Sequence, residues 1–286
     1  MHINLDPAVR TADEKECDLI KSDILEELFE DKYGSEDNGE FLKLVEIFSE
    51  ASGDNNLKKL ILSIYDFVQS SPFPEQWLDE AAENFNIDVN TKIIDTVWGK
   101  VIFNAVINAF NSLSDKCMDM VRRMESEGTL PDSYINAVYS DMAKINSIKS
   151  SVLNDFDKAV DEIKNIKYEN IGRIKAGEHD KEFADKIKAE REDIKKRMKS
   201  IASDYMFFYE EDMLEDIRAV YSVSKELTET VKEFSARFKN AKREKSVLDF
   251  SDMEHYALEI LLEEGSAVRK PIPSKAALNF QEKYFE

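Results

Sequence analysis

Few residues in this sequence could hold a nucleotide phosphate. A P-loop needs the pattern G-x-x-x-x-G-K-[ST], in which backbone N–H groups and one lysine bind the phosphates. The one Gly-Lys pair, Gly99-Lys100, is followed by Val101 and has Ile94 at the position of the first glycine. The pattern G-x-G-x-x-G is absent as well. We therefore expect no catalytic residues, no cofactor site and no ATP binding or hydrolysis in this chain.

Histidine and cysteine also offer little chemistry. His255 has Asp252 and Glu259 three residues before and four after it, a spacing that suits metal ligands on a helix. Because the chain has 59 Asp and Glu, such spacing also arises by chance, and a packed helix start is the simpler interpretation. Cys17 and Cys117 lie a hundred residues apart without a CxxC pattern, which predicts small core residues in a reducing cytoplasm.

Basic residues gather locally in a chain whose formal net charge is −20. The window 163–199 has twelve Lys and Arg against eight Asp and Glu, and the window 232–245 has six against two. Positive side chains contact DNA phosphates without sequence preference. The first window supplies these candidates for contact with duplex or forked DNA: Arg173, Lys175, Lys181, Arg191, Lys195, Lys196 and Arg197. A mixed-charge run is also typical of a solvated helix face.

The elements that would position these residues are helices. Eight glycines and six prolines in 286 residues favour long helices over turn-rich β folds. Apolar residues follow helical spacing over 57–68, and a longer pattern over 91–125 predicts the most buried helix. We find no convincing strand. No apolar stretch approaches the roughly 20 residues of a membrane span, and no signal pattern is found at the start, so we expect a cytoplasmic protein without membrane contact.

A change of period marks residues 133–205. Two narrow apolar seams, over 135–163 and 183–201, repeat at spacings near 3.5 and are separated by a segment containing Gly172 and Gly177. This pattern predicts a long antiparallel helical hairpin, with two ordinary surface helices as the alternative. The predicted fold class is therefore all-α, an elongated helical subdomain with a hairpin arm.

The run from Leu248 to Glu254 predicts the start of a further helix. Ser251 and Glu254 match the S-x-x-E capping box, in which a side-chain oxygen accepts from a backbone N–H of the first turn. Asp249 and Asp252 add negative charge near the same helix N-terminus, where it is favourable. We expect this cap to stabilise a helix that returns the chain from the preceding helical region.

The most specific resemblance to a known family lies in residues 234–262, F-S-A-R-F-K-N-A-K-R-E-K-S-V-L-D-F-S-D-M-E-H-Y-A-L-E-I-L-L. It resembles the segment before the Walker B motif in superfamily 1A helicases of the UvrD/Rep type, and in particular the A subunit of the bacterial AddAB helicase–nuclease. Residues 5–30 are similar to that family's run after T-I-H-S-F-C, and residues 60–77 fit too. Two departures are small: Val9 replaces an aromatic residue and Met253 replaces Leu.

The resemblance implies what the residues alone do not show. Residues 1–245 would be the helical insertion called subdomain 1B, with the hairpin arm at 133–205, and residues 246–286 would lead into the RecA-like motor core. The Walker A loop would precede Met1 and the Walker B strand would follow Glu286. ATP and Mg²⁺ would then be bound by the parent protein and not by this segment, which is expected to be inactive alone.

The resemblance also implies an activity and a partner for that parent protein. It would be an ATP-driven 3′-to-5′ DNA helicase and exonuclease that acts with an AddB-type subunit in double-strand-break repair by homologous recombination. This segment would help to position DNA. Two alternatives stay open on the residues alone: a free-standing acidic helical scaffold or adaptor, and a metal-dependent enzyme centred on His255.

Overall fold

A computed structural model describes residues 8–48, 53–172, 174, 180–267 and 270–284. The described chain is 77% helical, and its two strands have two residues each, which confirms the all-α fold class. In chain order the elements are β1 (Arg10–Thr11), α1 (Glu14–Gly34), α2 (Gly39–Phe48), α3 (Asn55–Val68), α4 (Pro74–Glu83), a 3₁₀ turn (Ile93–Asp95), α5 (Val97–Glu127), α6 (Asp132–Asn154), α7 (Phe156–Lys164), α8 (Lys181–Tyr205), α9 (Glu210–Glu244), β2 (Val247–Leu248), α10 (Phe250–Leu261) and α11 (Lys275–Tyr284). In this part of the chain, no helix has the length and the apolar run that a membrane span requires.

The chain forms two compact units. The first unit consists of residues Met1–Asn86 and Arg218–Glu286, and the second unit of residues Ile87–Ile217. Helix α9 contributes its first turns to the second unit and the rest to the first. The division predicted from the sequence, 1–245 and 246–286, concerns the relation of the chain to a motor core and stays a prediction.

The core of the first unit is built by α1 to α4 and by the later part of α9. The apolar positions expected over residues 57–68 face this core, where Leu57 and Ile61 are fully buried. Tyr65 packs edge-on against Phe234 and Phe238 of α9. Burying side chains of this size contributes about 1.5–3 kcal/mol each to folding, so these contacts hold distant parts of the sequence together. Cys17 lies in the same core, as predicted.

The first unit contains a short parallel pair of strands, β1 and β2. The sequence predicted no strand here. Arg10 pairs with Val247 and Thr11 with Leu248. The Ala12 N–H donates to the Leu248 carbonyl oxygen at 2.9 Å. Each strand has only two residues, too few for the alternating pattern by which strands are predicted.

The second unit has its core among α5, α6, α7, α8 and the first turns of α9. Helix α5 begins at Val97 because the hydroxyl oxygen of Thr96 accepts from the Gly99 N–H at 2.9 Å. A Cβ at position 99 would lie 1.7 Å from the carbonyl oxygen of Ile93, so the glycine allows the 3₁₀ turn to pack on the helix. The Gly-Lys pair of the sequence is therefore a site of close backbone packing. Cys117 is buried in this core, as predicted.

The two apolar seams of residues 133–205 are buried, and a helix outside this range packs against both of them. The first seam is divided at Asp155, whose carboxylate accepts from the Lys158 N–H at 3.0 Å and caps α7. Helix α5 packs against both α6 and α8. Ile145 of the first seam and Ile187 of the second lie in one core with α5. Both seams therefore share a core with α5, whose apolar surface covers them, and the hairpin arm at 133–205 stays a prediction.

Candidate nucleic-acid interface

Helix α8 carries the described candidates for DNA contact. The helix begins where the Asp180 carboxylate accepts from the Phe183 N–H at 3.0 Å. Its core stripe follows helical spacing and consists of Ala184, Ile187, Arg191, Ile194, Met198 and Ile201. This stripe decides which basic residues of the helix reach solvent, because side chains on the opposite side point away from the core.

Arg191 is not available to DNA, contrary to the prediction. Its side chain is 4% exposed and pairs with the Asp141 carboxylate, which is 1% exposed. The Nε–H donates to Asp141 Oδ2 at 2.5 Å and the Nη2–H to Asp141 Oδ1 at 2.9 Å. The planar guanidinium thus donates two hydrogen bonds to one carboxylate, and Asp141 neutralises the charge of Arg191 inside the core of the second unit.

The Arg191–Asp141 pair affects its buried neighbours. Burial, reinforced by the nearby Asp141 charge, raises the pKa of the Cys117 thiol to about 12. The same two causes raise the pKa of Tyr168 to about 12. Both groups therefore stay protonated and uncharged at neutral pH, so Cys117 is not an activated thiolate.

Two further candidates on α8 are partly neutralised by acidic neighbours. Lys195 donates to Glu192 at 2.6 Å, and its ammonium group lies 5.2 Å from the centre of the Tyr168 ring. The hydrogen bond from Lys195 holds the pKa of Glu192 below its usual value. Lys196 lies 3.6 Å from Asp193, but its side chain is 77% exposed, so this pair is weak and easily exchanged for a phosphate.

Lys181 and Arg197 are the exposed basic candidates of α8 for which no ion pair is found within the described part of the chain. Arg173 and Lys175 lie outside the described residues, so their positions stay predictions. Helix α8 contains eight basic and six acidic residues, and burial of Arg191 leaves seven basic residues on the surface. The positive excess of this helix is therefore smaller than the sequence window suggests.

Half of the six basic residues in the second window, residues 232–245, make ion pairs within the described part of the first unit. Lys232 donates to Asp79 at 2.6 Å, and Arg237 donates to Asp31 at 2.7 Å. Lys242 is 3% exposed. The contacts of Lys232 and Arg237 join α9 to α4 and α1, whereas Lys239, Arg243 and Lys245 of the same window are exposed.

The helix start near residue 250 differs from the prediction. Helix α10 begins at Phe250, and Asp249 caps it: its carboxylate accepts from the Asp252 N–H at 2.8 Å, while Asp252 accepts from the Asp249 N–H at 2.9 Å. Ser251 and Glu254 therefore lie inside the helix and form no capping box. The cap formed by Asp249 and Asp252 is favoured over one formed by Ser251 and Glu254 because its reciprocal hydrogen bonds satisfy two backbone donors. Both carboxylates also form ion pairs with Lys242.

Lys242 connects the two cap residues to α9. Its ammonium nitrogen lies 2.7 Å from Asp249 Oδ2 and 2.6 Å from Asp252 Oδ2, and 4.4 Å from the centre of the Phe238 ring. Burial opposes ionisation of Asp249, but the hydrogen bonds from Lys242 and from the Asp252 backbone outweigh it and hold the pKa of Asp249 below its usual value. The sequence prediction included both aspartates but missed the lysine that pairs with them.

His255 occupies a packing position. Its Nε2 lies 3.1 Å from the carbonyl oxygen of Gln69. Asp252, the proposed metal-ligand neighbour, is engaged by Lys242. Within the described ranges, no group of three or more His, Cys, Asp or Glu side chains is placed to hold a metal ion.

Three curated proteins similar to this chain share one description. A protein of Clostridium beijerinckii is 36% identical, one of Clostridioides difficile is 34% identical and one of Acetivibrio thermocellus is 31% identical, each over 99% of this chain. All three are described as the A subunit of an ATP-dependent helicase/nuclease. The chain spans only 22–23% of the length of these relatives. No protein-family model matches the chain.

These relationships place the helical chain in the family of these much longer proteins, as a match to one segment of them. The similarity extends over both helical units and includes the residues on which the resemblance was based. Within that family the chain corresponds to a segment of the A subunit, and the predicted resemblance is confirmed.

Proposed function

We propose that this chain is the helical 1B-type region of the A subunit of a helicase/nuclease, together with the first elements that return to its motor core. Its function is to position DNA for a neighbouring ATP-driven motor. The observation that carries the proposal is the similarity to helicase/nuclease A subunits over 99% of the chain. The parent protein would bind ATP and Mg²⁺, unwind DNA from 3′ to 5′, degrade it as an exonuclease, and act with an AddB-type subunit in recombinational repair.

The apolar surface of α10 and α11 supports the assignment of residues 246–286 to the edge of a motor core. Neither helix has a buried residue. Phe250, Ile260, Leu278 and Phe280 are large apolar side chains on their surfaces, and Phe250 is 74% exposed. Two consecutive amphipathic helices with apolar residues left in water are expected where a further layer of the same protein packs on them.

The parallel pair of β1 and β2 supports the same assignment. Parallel strands occur almost only in α/β sheets that helices cover on both faces. A pair of two-residue strands, Arg10–Thr11 and Val247–Leu248, has too few hydrogen bonds to be a stable sheet alone. In the proposed parent protein this pair is the start of a larger parallel sheet.

Phosphate contacts would be made by basic residues of the window 163–199. The candidates that remain after the correction at Arg191 are Arg173, Lys175, Lys181, Lys195, Lys196 and Arg197. Contacts of this type release counterions and carry no base specificity, as positioning of any duplex requires. The surrounding acidic residues keep the affinity of the isolated chain low, so the test belongs in the assembled enzyme.

The test replaces Arg173, Lys175 and Lys181 by Glu in the full-length protein, assembled with its partner subunit. Duplex-end affinity at low salt should fall about tenfold or more. The slope of log K against log salt should become shallower by about 0.9 for each phosphate contact that the substitutions remove. ATP hydrolysis stimulated by single-stranded DNA should stay largely intact, because these residues lie outside the ATP site of the proposed parent.

A matched control replaces the exposed lysines Lys59, Lys100 and Lys116 by Glu, which changes the net charge by the same amount. This variant should keep the salt slope of the unmodified enzyme. If both triple variants weaken binding equally, the effect comes from overall charge. If the first variant leaves duplex binding and its salt slope unchanged, the basic residues are only a solvated helix face and the DNA-positioning proposal is wrong.

A further inference from the structure

The turn between α8 and α9 exposes four aromatic rings. We call residues Tyr205, Met206, Phe207, Phe208 and Tyr209 the aromatic turn. Met206 is fully buried in the core of the second unit, whereas the four aromatic residues are 40–51% exposed. One thioether therefore anchors the turn, and the rings around it are not needed to fill the core.

Polar contacts fix the backbone of the aromatic turn. The Asp161 carboxylate accepts from the Tyr209 hydroxyl at 2.9 Å, and Lys164 donates to the Phe207 carbonyl oxygen at 3.3 Å. The Lys164 ammonium group also lies 4.8 Å from the centre of the Tyr209 ring. Next to the turn, Asp157 accepts from the Glu210 N–H at 2.7 Å. The rings are thus presented to solvent from a backbone held on both sides.

Rings held in place but left in water are typical of the centre of a protein interface. Aromatic residues supply most hot spots there, and a partner that meets an already ordered turn loses less conformational entropy on binding. Phe207 and Phe208 have centroids 4.4 Å apart and form one continuous apolar surface. This surface is the part of the aromatic turn that would insert into a partner.

The charges around the aromatic turn define the partner. Residues 203–212 include Asp204, Glu210, Glu211 and Asp212 and no Lys or Arg. Asp157 and Asp161 add two further carboxylates beside the turn, against the one ammonium group of Lys164 described above. This acidic surround repels DNA phosphates, so base stacking on the rings is disfavoured. It also disfavours a second copy of the same chain, which carries a net charge of −20. A protein surface with basic residues around an apolar pocket is complementary to it.

We propose that the aromatic turn docks onto a basic surface of the partner subunit of the helicase/nuclease. This proposal rests on the proposed function, because it requires that the chain be a segment of the A subunit. Phe207 and Phe208 supply the apolar anchor, while Glu211 and Asp212 steer association by charge.

The experiment measures assembly of the full-length protein with its purified partner subunit by analytical ultracentrifugation at several salt concentrations. The double substitution Phe207→Ser/Phe208→Ser should raise the dissociation constant at least about tenfold at every salt concentration. The double substitution Glu211→Lys/Asp212→Lys should weaken assembly mainly at low salt and reduce its salt dependence. Phe207→Leu/Phe208→Leu, which keeps the apolar anchor, should retain most of the affinity.

A matched control is Leu153→Ser, which removes an apolar side chain of similar exposure from the same unit and should leave assembly unchanged. Unchanged assembly of the Phe207→Ser/Phe208→Ser protein would overturn this proposal while leaving the proposed function intact. A 286-residue chain that dimerises, or that binds a labelled single strand, through these rings would also overturn it. If the unmodified subunits do not associate at all, both this proposal and the proposed function are wrong.

Discussion

The buried Arg191–Asp141 pair predicts an asymmetric response to substitution. In Arg191→Met the aliphatic volume is kept, but the Asp141 carboxylate loses both N–H donors at a position that is 1% exposed. Removing one partner of a buried pair costs about 3–5 kcal/mol, because the other charge is left without compensation. Replacing both, as in Asp141→Leu/Arg191→Met, leaves no buried charge and should be neutral or stabilising by about 1–4 kcal/mol.

The two tryptophans of the chain allow the unfolding of each unit to be measured separately. Trp77 lies in the first unit and Trp98 in the second. In a Trp77→Phe background, fluorescence of Trp98 reports urea unfolding of the second unit, which contains the pair. With a slope of about 2 kcal/mol per molar urea, Arg191→Met should lower the midpoint by about 2 M.

The matched control is Arg197→Met, the same chemical change at an exposed position of α8. It should change the free energy of unfolding by no more than about 0.5 kcal/mol. If Arg191→Met behaves like this control, the guanidinium is not buried against Asp141. If the double variant is as unstable as Arg191→Met, the loss comes from packing of the arginine stem and not from an unpaired carboxylate.

Two further predictions concern the backbone and the helix cap. Gly99→Ala should destabilise the second unit by at least about 2 kcal/mol in the same urea assay, because the added Cβ would overlap a backbone carbonyl, while Gly172→Ala, with open space at its Cβ, should not. Asp249→Ala should cost the first unit about 1–3 kcal/mol, whereas Ser251→Ala should be nearly neutral. The folded state lowers the pKa of Asp249. The carboxylate therefore stabilises the folded state above about pH 4, and this stabilisation is lost as the pH falls through the folded-state pKa. The destabilisation caused by Asp249→Ala should thus be largest at about pH 7 and shrink towards about pH 3. An unchanged cost across this range would contradict the assigned ionic cap.

Much of the fold was predictable because apolar spacing along a helix reports which side is buried. The positions expected over residues 57–68 and both seams of 133–205 lie in the two cores. The same spacing does not show which other helix covers an apolar seam. The sequence therefore did not predict that α5 packs against both seams of 133–205. It also does not show a local break such as the one at Asp155, whose cap interrupts an otherwise continuous pattern.

The candidate site was less predictable because it depends on contacts between distant residues. Arg191 and Asp141 are 50 positions apart, so the sequence does not show that they pair. Position 191 does fall in the helical spacing of Ile187 and Ile194, a signal that could have placed this arginine towards the core. At the start of α10 two overlapping capping patterns were possible. The one at Asp249 prevails through Lys242, a residue outside both patterns.

The uncovered apolar faces of α10 and α11 have a consequence for the chain when it is produced alone. Colloidal stability then depends on repulsion between molecules that each carry a charge of −20. Salt screens this repulsion, and acidification towards the isoelectric point near 4.7 removes it, while the apolar faces are unchanged. Dilute buffer at neutral or higher pH is therefore the regime in which the separate chain stays dispersed, whereas crystallisation from concentrated salt would favour packing through Phe250 and Phe280.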